Sequence, residues 1–106
     1  SVINHIHTHL SDELSLELLS STFYINKFYL CNLFKNVTGT SPNQYIISCR
    51  IMKAKELLSQ NLPVDSVCSL VGYKNLSHFS RIFKQHTGLS PKQYSKFKQA
   101  EDFKRK

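Results

Sequence analysis

The chain has 106 residues, 41% of them hydrophobic, and a formal charge of +7. That length allows one domain or two small subdomains sharing a core, and the apolar content excludes a disordered chain. The charge favours a polyanionic partner, and no apolar run approaches membrane-spanning length, so no membrane association is expected. No secretion signal opens the chain. Cys31, Cys49 and Cys68 are widely spaced without a CxxC, which argues against a disulfide framework and fits a reducing cytoplasm. The missing initiator Met hints at a piece of a longer protein.

Val2, Ile3, Ile6 and Leu10 fall at helical spacing and predict a first amphipathic helix, broken by Ser11-Asp12-Glu13. Leu16, Leu19 and Phe23 predict a short second helix. Asn26 caps a third, with Leu30, Leu33, Phe34 and Val37 as its buried stripe and Gly39 as its stop. Ser41-Pro42-Asn43-Gln44 opens the fourth as an N-cap, a first-turn proline and a capping-box glutamine. Its apolar positions Ile47, Ile51, Ala54 and Leu58 carry it to about Gln60. After Asn61-Leu62-Pro63, Val64, Val67, Leu70 and Val71 predict a fifth helix ending at Gly72. Asn75 caps a sixth around Phe79, Ile82 and Phe83, and Ser90-Pro91-Lys92-Gln93 opens the last through Tyr94 and Phe97. No period-two alternation indicates a strand, so the expectation is an all-α chain of about seven helices.

One phrase occurs twice. Phe34-Lys35-Asn36-Val37-Thr38-Gly39-Thr40-Ser41-Pro42-Asn43-Gln44-Tyr45 returns 49 positions later as Phe83-Lys84-Gln85-His86-Thr87-Gly88-Leu89-Ser90-Pro91-Lys92-Gln93-Tyr94. Upstream, Leu16, Leu19, Phe23 and Tyr24 align with Val64, Val67, Val71 and Gly72 at an offset of 48. Small Ser20 and Cys68 then share one place, as the close crossing of a helix-turn-helix requires. Two copies of one helical unit in a basic chain suit a long, charged, repeating ligand, and DNA is the foremost candidate. The expected organisation is a first helix-turn-helix subdomain at 1–40, a linker helix at 41–60, a second subdomain at 61–100 and a disordered basic tail at 101–106.

The run Gly72-Tyr73-Lys74-Asn75-Leu76-Ser77-His78-Phe79-Ser80-Arg81-Ile82-Phe83-Lys84-Gln85-His86-Thr87-Gly88-Leu89-Ser90-Pro91-Lys92-Gln93-Tyr94 resembles the C-terminal signature of the AraC/XylS transcription regulators. Leu14-Ser15-Leu16-Glu17 and the stretch from Arg50 to Leu58 are similar to that family's first helix-turn-helix and its linker helix. The resemblance implies two helix-turn-helix subdomains joined by a long helix. It also implies sequence-specific binding of double-stranded promoter DNA, and transcription activated by touching RNA polymerase. Relatives of this kind usually add an N-terminal domain that senses an effector or dimerises. At the first turn the chain departs from the pattern: Tyr24 replaces the usual Gly, and Asn26-Lys27 a common Ser-Pro.

By that resemblance, base-reading positions fall on Phe28, Cys31 and Asn32 in the third helix and on Leu76, Ser77, Ser80 and Arg81 in the sixth. Asn32 has the donor–acceptor pair to match adenine and Arg81 the fork to match guanine, while Phe28, Cys31 and Leu76 suit thymine methyls. An A/T-rich first half-site and a G·C pair under Arg81 follow. Core packing for Phe28, a salt bridge for Arg81 and an inert surface thiol for Cys31 are the structural alternatives. Lys27, Tyr29, Lys35, Lys74, His78 and Lys84 flank the two readers as phosphate contacts. The readers would enter successive major grooves, about 34 Å apart.

Nothing in the sequence asks for a cofactor. His5, His7 and His9 do not share a helix face, so they do not form a metal site, and no paired-carboxylate, nucleophile–base or phosphate-loop pattern indicates an enzyme. The rival reading is an all-α protein-interaction module whose charge gives only non-specific nucleic-acid binding.

Overall fold

The computed structural model describes residues 1–105, with side chains through Glu101, and all its regular secondary structure is helical. The helices are α1 (Val2–Thr8), α2 (Leu16–Thr22), α3 (Lys27–Thr38), α4 (Pro42–Ser59), α5 (Val64–Leu70), α6 (Leu76–Thr87) and α7 (Pro91–Arg105). They divide into two compact units, Ser1–Arg50 and Ile51 onward, with the boundary inside α4. The expected tail is helical backbone as far as Arg105, because no Gly or Pro interrupts α7; Lys106 lies outside the described residues.

In the first unit Ile6, Leu19, Leu30 and Phe34 are almost completely removed from solvent, joined by Leu14 and Ile46. Arg50 ties the α1–α2 loop to α4: its Nε donates to Leu10 O at 3.1 Å and its Nη2 to Asp12 O at 2.8 Å. In the second unit Val67, Val71, Phe79 and Phe83 are fully buried, with Ile51, Ala54, Leu58 and Tyr73 around them.

Several expected core positions lie outside these interiors. Leu33 and Val37 of α3 are 36% and 66% exposed, because the apolar arc of α3 is wider than the Leu30–Phe34 stripe it buries. They border a small apolar groove with Val2 and Ile3. In α5 the buried positions are Val67 and Cys68, followed by the buried C-cap Val71; Leu70, the last residue of the helix, is exposed. Ile46 rather than Ile47 is the deeply buried residue early in α4, Ile82 is only half-buried, and Phe97 is exposed.

The sequence repeat is also a repeat of hydrogen bonds. At both turns a backbone bond of 3.0 Å closes the loop, from Ile25 N to Ser20 O and from Tyr73 N to Cys68 O. The small side chains repeat it: Ser20 Oγ donates to Ile25 O, and Cys68 Sγ to Tyr73 O at 3.4 Å. Helices α3 and α6 end in one design. Thr38 and Thr87 Oγ1 donate to Phe34 O and Phe83 O at 2.7 and 2.9 Å, followed by left-handed Gly39 and Gly88. Ser41 and Ser90 Oγ then cap the next helix by accepting from Gln44 N and Gln93 N, each at 3.2 Å. At Ser90 the box closes, with its N–H donating to Gln93 Oε1 at 3.0 Å.

The copies part company at one backbone position. Gly72 has φ +96°, natural for glycine, whereas its counterpart Tyr24 is held at φ +54°. A left-handed conformation costs a bulky residue roughly 1–2 kcal/mol. Tyr24 is 96% exposed, so nothing in the interior offsets that cost.

Candidate nucleic-acid interface

Helices α3 and α6 are each seated by buried aromatic side chains and capped by an asparagine. Asn26 Oδ1 accepts from Phe28 N at 2.8 Å at the start of α3, and Asn75 Oδ1 from His78 N at 2.9 Å at the start of α6. With the core taken by Leu30 and Phe34, the remaining faces of α3 present Lys27, Phe28, Tyr29, Asn32 and Lys35 exposed, and Cys31 half-buried. Phe28 is 83% exposed, which removes the core-packing alternative for it. The equivalent faces of α6 present Leu76, Ser77, His78, Arg81 and Lys84 exposed, with Ser80 half-buried, and Lys74 stands exposed just before the helix. The thirteen sequence-chosen positions thus lie on or beside the two equivalent helices, and none is in the buried core.

Local partners modify two of them. Lys27 Nζ lies 3.6 Å from Glu17 Oε1, so any anion approaching Lys27 would compete with a carboxylate. The His78 ring packs edge-on against buried Tyr73, with centroids 5.6 Å apart, which fixes the ring beside the entry of α6. Among the described residues no carboxylate lies within ion-pair distance of Arg81, which leaves its fork for an external acceptor. The histidines of α1 and its C-cap are occupied structurally. His5 and His9 stack at 4.1 Å, and His7 Nε2 bonds the Tyr45 hydroxyl at 2.8 Å. Burial pushes the Cys49 and Cys68 thiols up, at Cys68 with help from Asp65, so both stay protonated at neutral pH.

Charge separates the units sharply. Residues 1–50 carry three Lys/Arg against three Asp/Glu, and residues 51–106 carry eleven against four, so the whole +7 belongs to the second unit. The first unit instead exposes aromatics at its reader: Tyr24, Phe28 and Tyr29. Residue spacing could not single out Tyr24, because its signal is a backbone angle. No helix among the described residues is long and apolar enough to cross a membrane.

The fold and these faces define a protein of two tandem helix-turn-helix units, each presenting the exposed side of its second helix. A sequence profile described as "Helix-turn-helix domain" matches residues 19–96. The uncharacterized HTH-type transcriptional regulator YobQ of Bacillus subtilis (strain 168) is 36% identical over 93 residues, covering 87% of this chain and 39% of that protein. Among solved structures, the C-terminal domain of AraT, a response regulator from Geobacillus stearothermophilus, superposes with a TM-score of 0.86 at 33% identity, covering 91% of this chain and 81% of that one. The DNA-binding domain of AdpA, a global transcriptional factor solved in complex with a target DNA, gives 0.89 at 26% identity, covering 94% and 91%. The chain belongs to the helix-turn-helix family of AraC/XylS type. It spans about two fifths of the length of the relative YobQ.

Proposed function

We propose that the chain binds double-stranded promoter DNA sequence-specifically through α3 and α6, which enter successive major grooves, and thereby regulates transcription in the cytoplasm. One observation carries this reading. Two helices on matching mounts expose different side chains, the arrangement that reads two different half-sites in one asymmetric site. The AdpA domain, similar over nearly the whole chain and solved on its target DNA, supports it. Phe28, Cys31, Asn32, Leu76, Ser77, Ser80 and Arg81 are the proposed base contacts. Lys27, Tyr29, Lys35, Lys74, His78 and Lys84 are the proposed phosphate contacts. The regulatory outcome is activation through contact with RNA polymerase, and the effector or dimerisation domain is an N-terminal one in the full-length protein.

Selecting binding sites from random-sequence duplexes tests the reading. A bipartite site is expected, A/T-rich under α3 and with a G·C pair under Arg81. Recovery of a single half-site, or of a G·C-rich sequence under α3, counts against it. Arg81→Ala should weaken binding to the selected site by about 1–3 kcal/mol and relax preference at that one base pair, without comparable loss elsewhere.

Thiol chemistry gives a second check. Cys49 and Cys68, their thiols pushed up by burial, should react slowly with iodoacetamide, and Cys31 on α3 is the thiol to follow. Saturating selected duplex should slow Cys31 alkylation several-fold, as read by peptide mass spectrometry. Unchanged labelling would remove Cys31 from the interface.

A further inference from the structure

Tyr24 bears two costs without an internal return. Its backbone is held in the left-handed region at φ +54°, where its counterpart in the other copy is Gly72. Its side chain is 96% exposed, and no hydrogen bond or ring contact within the described residues engages it. The backbone bond from Ile25 N to Ser20 O, with the Ser20 hydroxyl on Ile25 O, fixes this turn, so the phenol projects from a rigid support. Strain that the surrounding structure enforces and the interior does not exploit points to an external contact.

Position and charge indicate the contact. Tyr24 stands two residues before the α3 cap Asn26, beside exposed Lys27, Phe28 and Tyr29. The first unit has no net charge, and Lys27 is partnered by Glu17. This reader therefore meets a polyanion with few free cations, and neutral hydroxyl donors are what its surface offers in their place. We propose that Tyr24 is a further DNA-contacting residue, its hydroxyl donating to a backbone phosphate beside the first half-site. The assignment rests on the DNA-binding reading above. It makes Tyr24 a positioning contact that fixes the register of α3 without neutralising a phosphate.

The test measures affinity and thermal stability together, for the wild-type chain, Tyr24→Gly and Tyr24→Phe, on the duplex the wild-type chain selects from random-sequence DNA. Tyr24→Gly relieves the strain and should raise the melting temperature by about 4 °C, net of glycine's extra chain entropy, while weakening binding. Tyr24→Phe should leave the melting temperature unchanged and weaken binding about three- to tenfold, the worth of one interfacial hydrogen bond. The slope of log affinity against log salt should stay at the wild-type value, since no cation is removed. A Tyr24→Gly chain that is more stable and binds equally well overturns the assignment, as it would if the turn serves a protein partner. Weakening by Tyr24→Gly but not by Tyr24→Phe overturns the hydroxyl–phosphate contact. Failure of the wild-type chain to bind any duplex overturns the DNA-binding reading itself, and this assignment with it.

Discussion

Raising monovalent salt from about 50 to about 200 mM should weaken binding to the selected duplex on the order of a hundredfold, for about four phosphates neutralised at a slope near −0.9 each. The four are the proposed contacts of Lys27, Lys35, Lys74 and Lys84, all exposed. Lys84→Ala should lower the slope by about one and weaken binding almost uniformly across sequences. The same titration on an unrelated duplex separates the units. Non-specific affinity is nearly all electrostatic, and the whole +7 lies in the second unit. Changing Lys74 and Lys84 together should abolish most non-specific binding, whereas changing Lys27 and Lys35 should spare most of it. A salt-independent affinity would contradict the phosphate assignments. Equal effects of the two pairs would contradict the link between the division of charge and non-specific affinity.

This division implies a sequence of events. Under the proposed function, the second unit, basic and carrying Arg81, would hold DNA of any sequence weakly and read one half-site. The first unit, neutral and faced with aromatics, would gain affinity only where thymine methyls and adenine edges suit the proposed contacts Phe28 and Asn32. Discrimination at the first half-site is then little diluted by non-specific attraction.

The fold was legible because the repeated phrase consists of structural devices. Thr38 and Thr87 close a C-terminus, Gly39 and Gly88 take the left-handed cap, and Ser41 and Ser90 open the next helix. Each acts over four residues or fewer, so local sequence is enough to read it. Burial was less legible. Leu33, Val37 and Leu70 carry the apolar character of core residues, but helical period alone cannot say how wide an arc the neighbouring helices cover. Tyr73 is buried although sequence pattern gives it no core role, because its burial depends on packing against Phe79, with ring centroids 5.4 Å apart. Among candidate contacts, the exposure of Phe28 was undecidable from spacing. Tyr24 stands where the family pattern has Gly, and its importance lies in a dihedral angle that residue identity does not reveal.

Replacing Phe83 by Ala should destabilise the second unit by about 3–5 kcal/mol, and Phe34→Ala should do the same to the first. Both rings are essentially inaccessible, and each meets the tyrosine that ends the repeated phrase. Phe34 lies 5.7 Å from Tyr45 and Phe83 5.5 Å from Tyr94, both edge-on. Truncation therefore opens a cavity and removes an aromatic pair that ties the reader helix to the helix after it. The loss is a large part of the roughly 5–15 kcal/mol that stabilises a typical domain, so local unfolding of the affected unit is expected. The functional consequences should differ although the structural lesions match. Phe83→Ala removes the mount of the charged reader and should abolish binding to selected and unrelated duplexes alike. Phe34→Ala should lose selectivity for the first half-site yet keep weak, salt-sensitive binding through α6. Amide NMR spectra distinguish this outcome from global collapse, since residues 64–100 should keep their native shifts in Phe34→Ala. Loss of those signals would mean that the units stand or fall together. Retention of tight binding by Phe83→Ala would mean that the first unit, despite its neutral charge, carries the affinity.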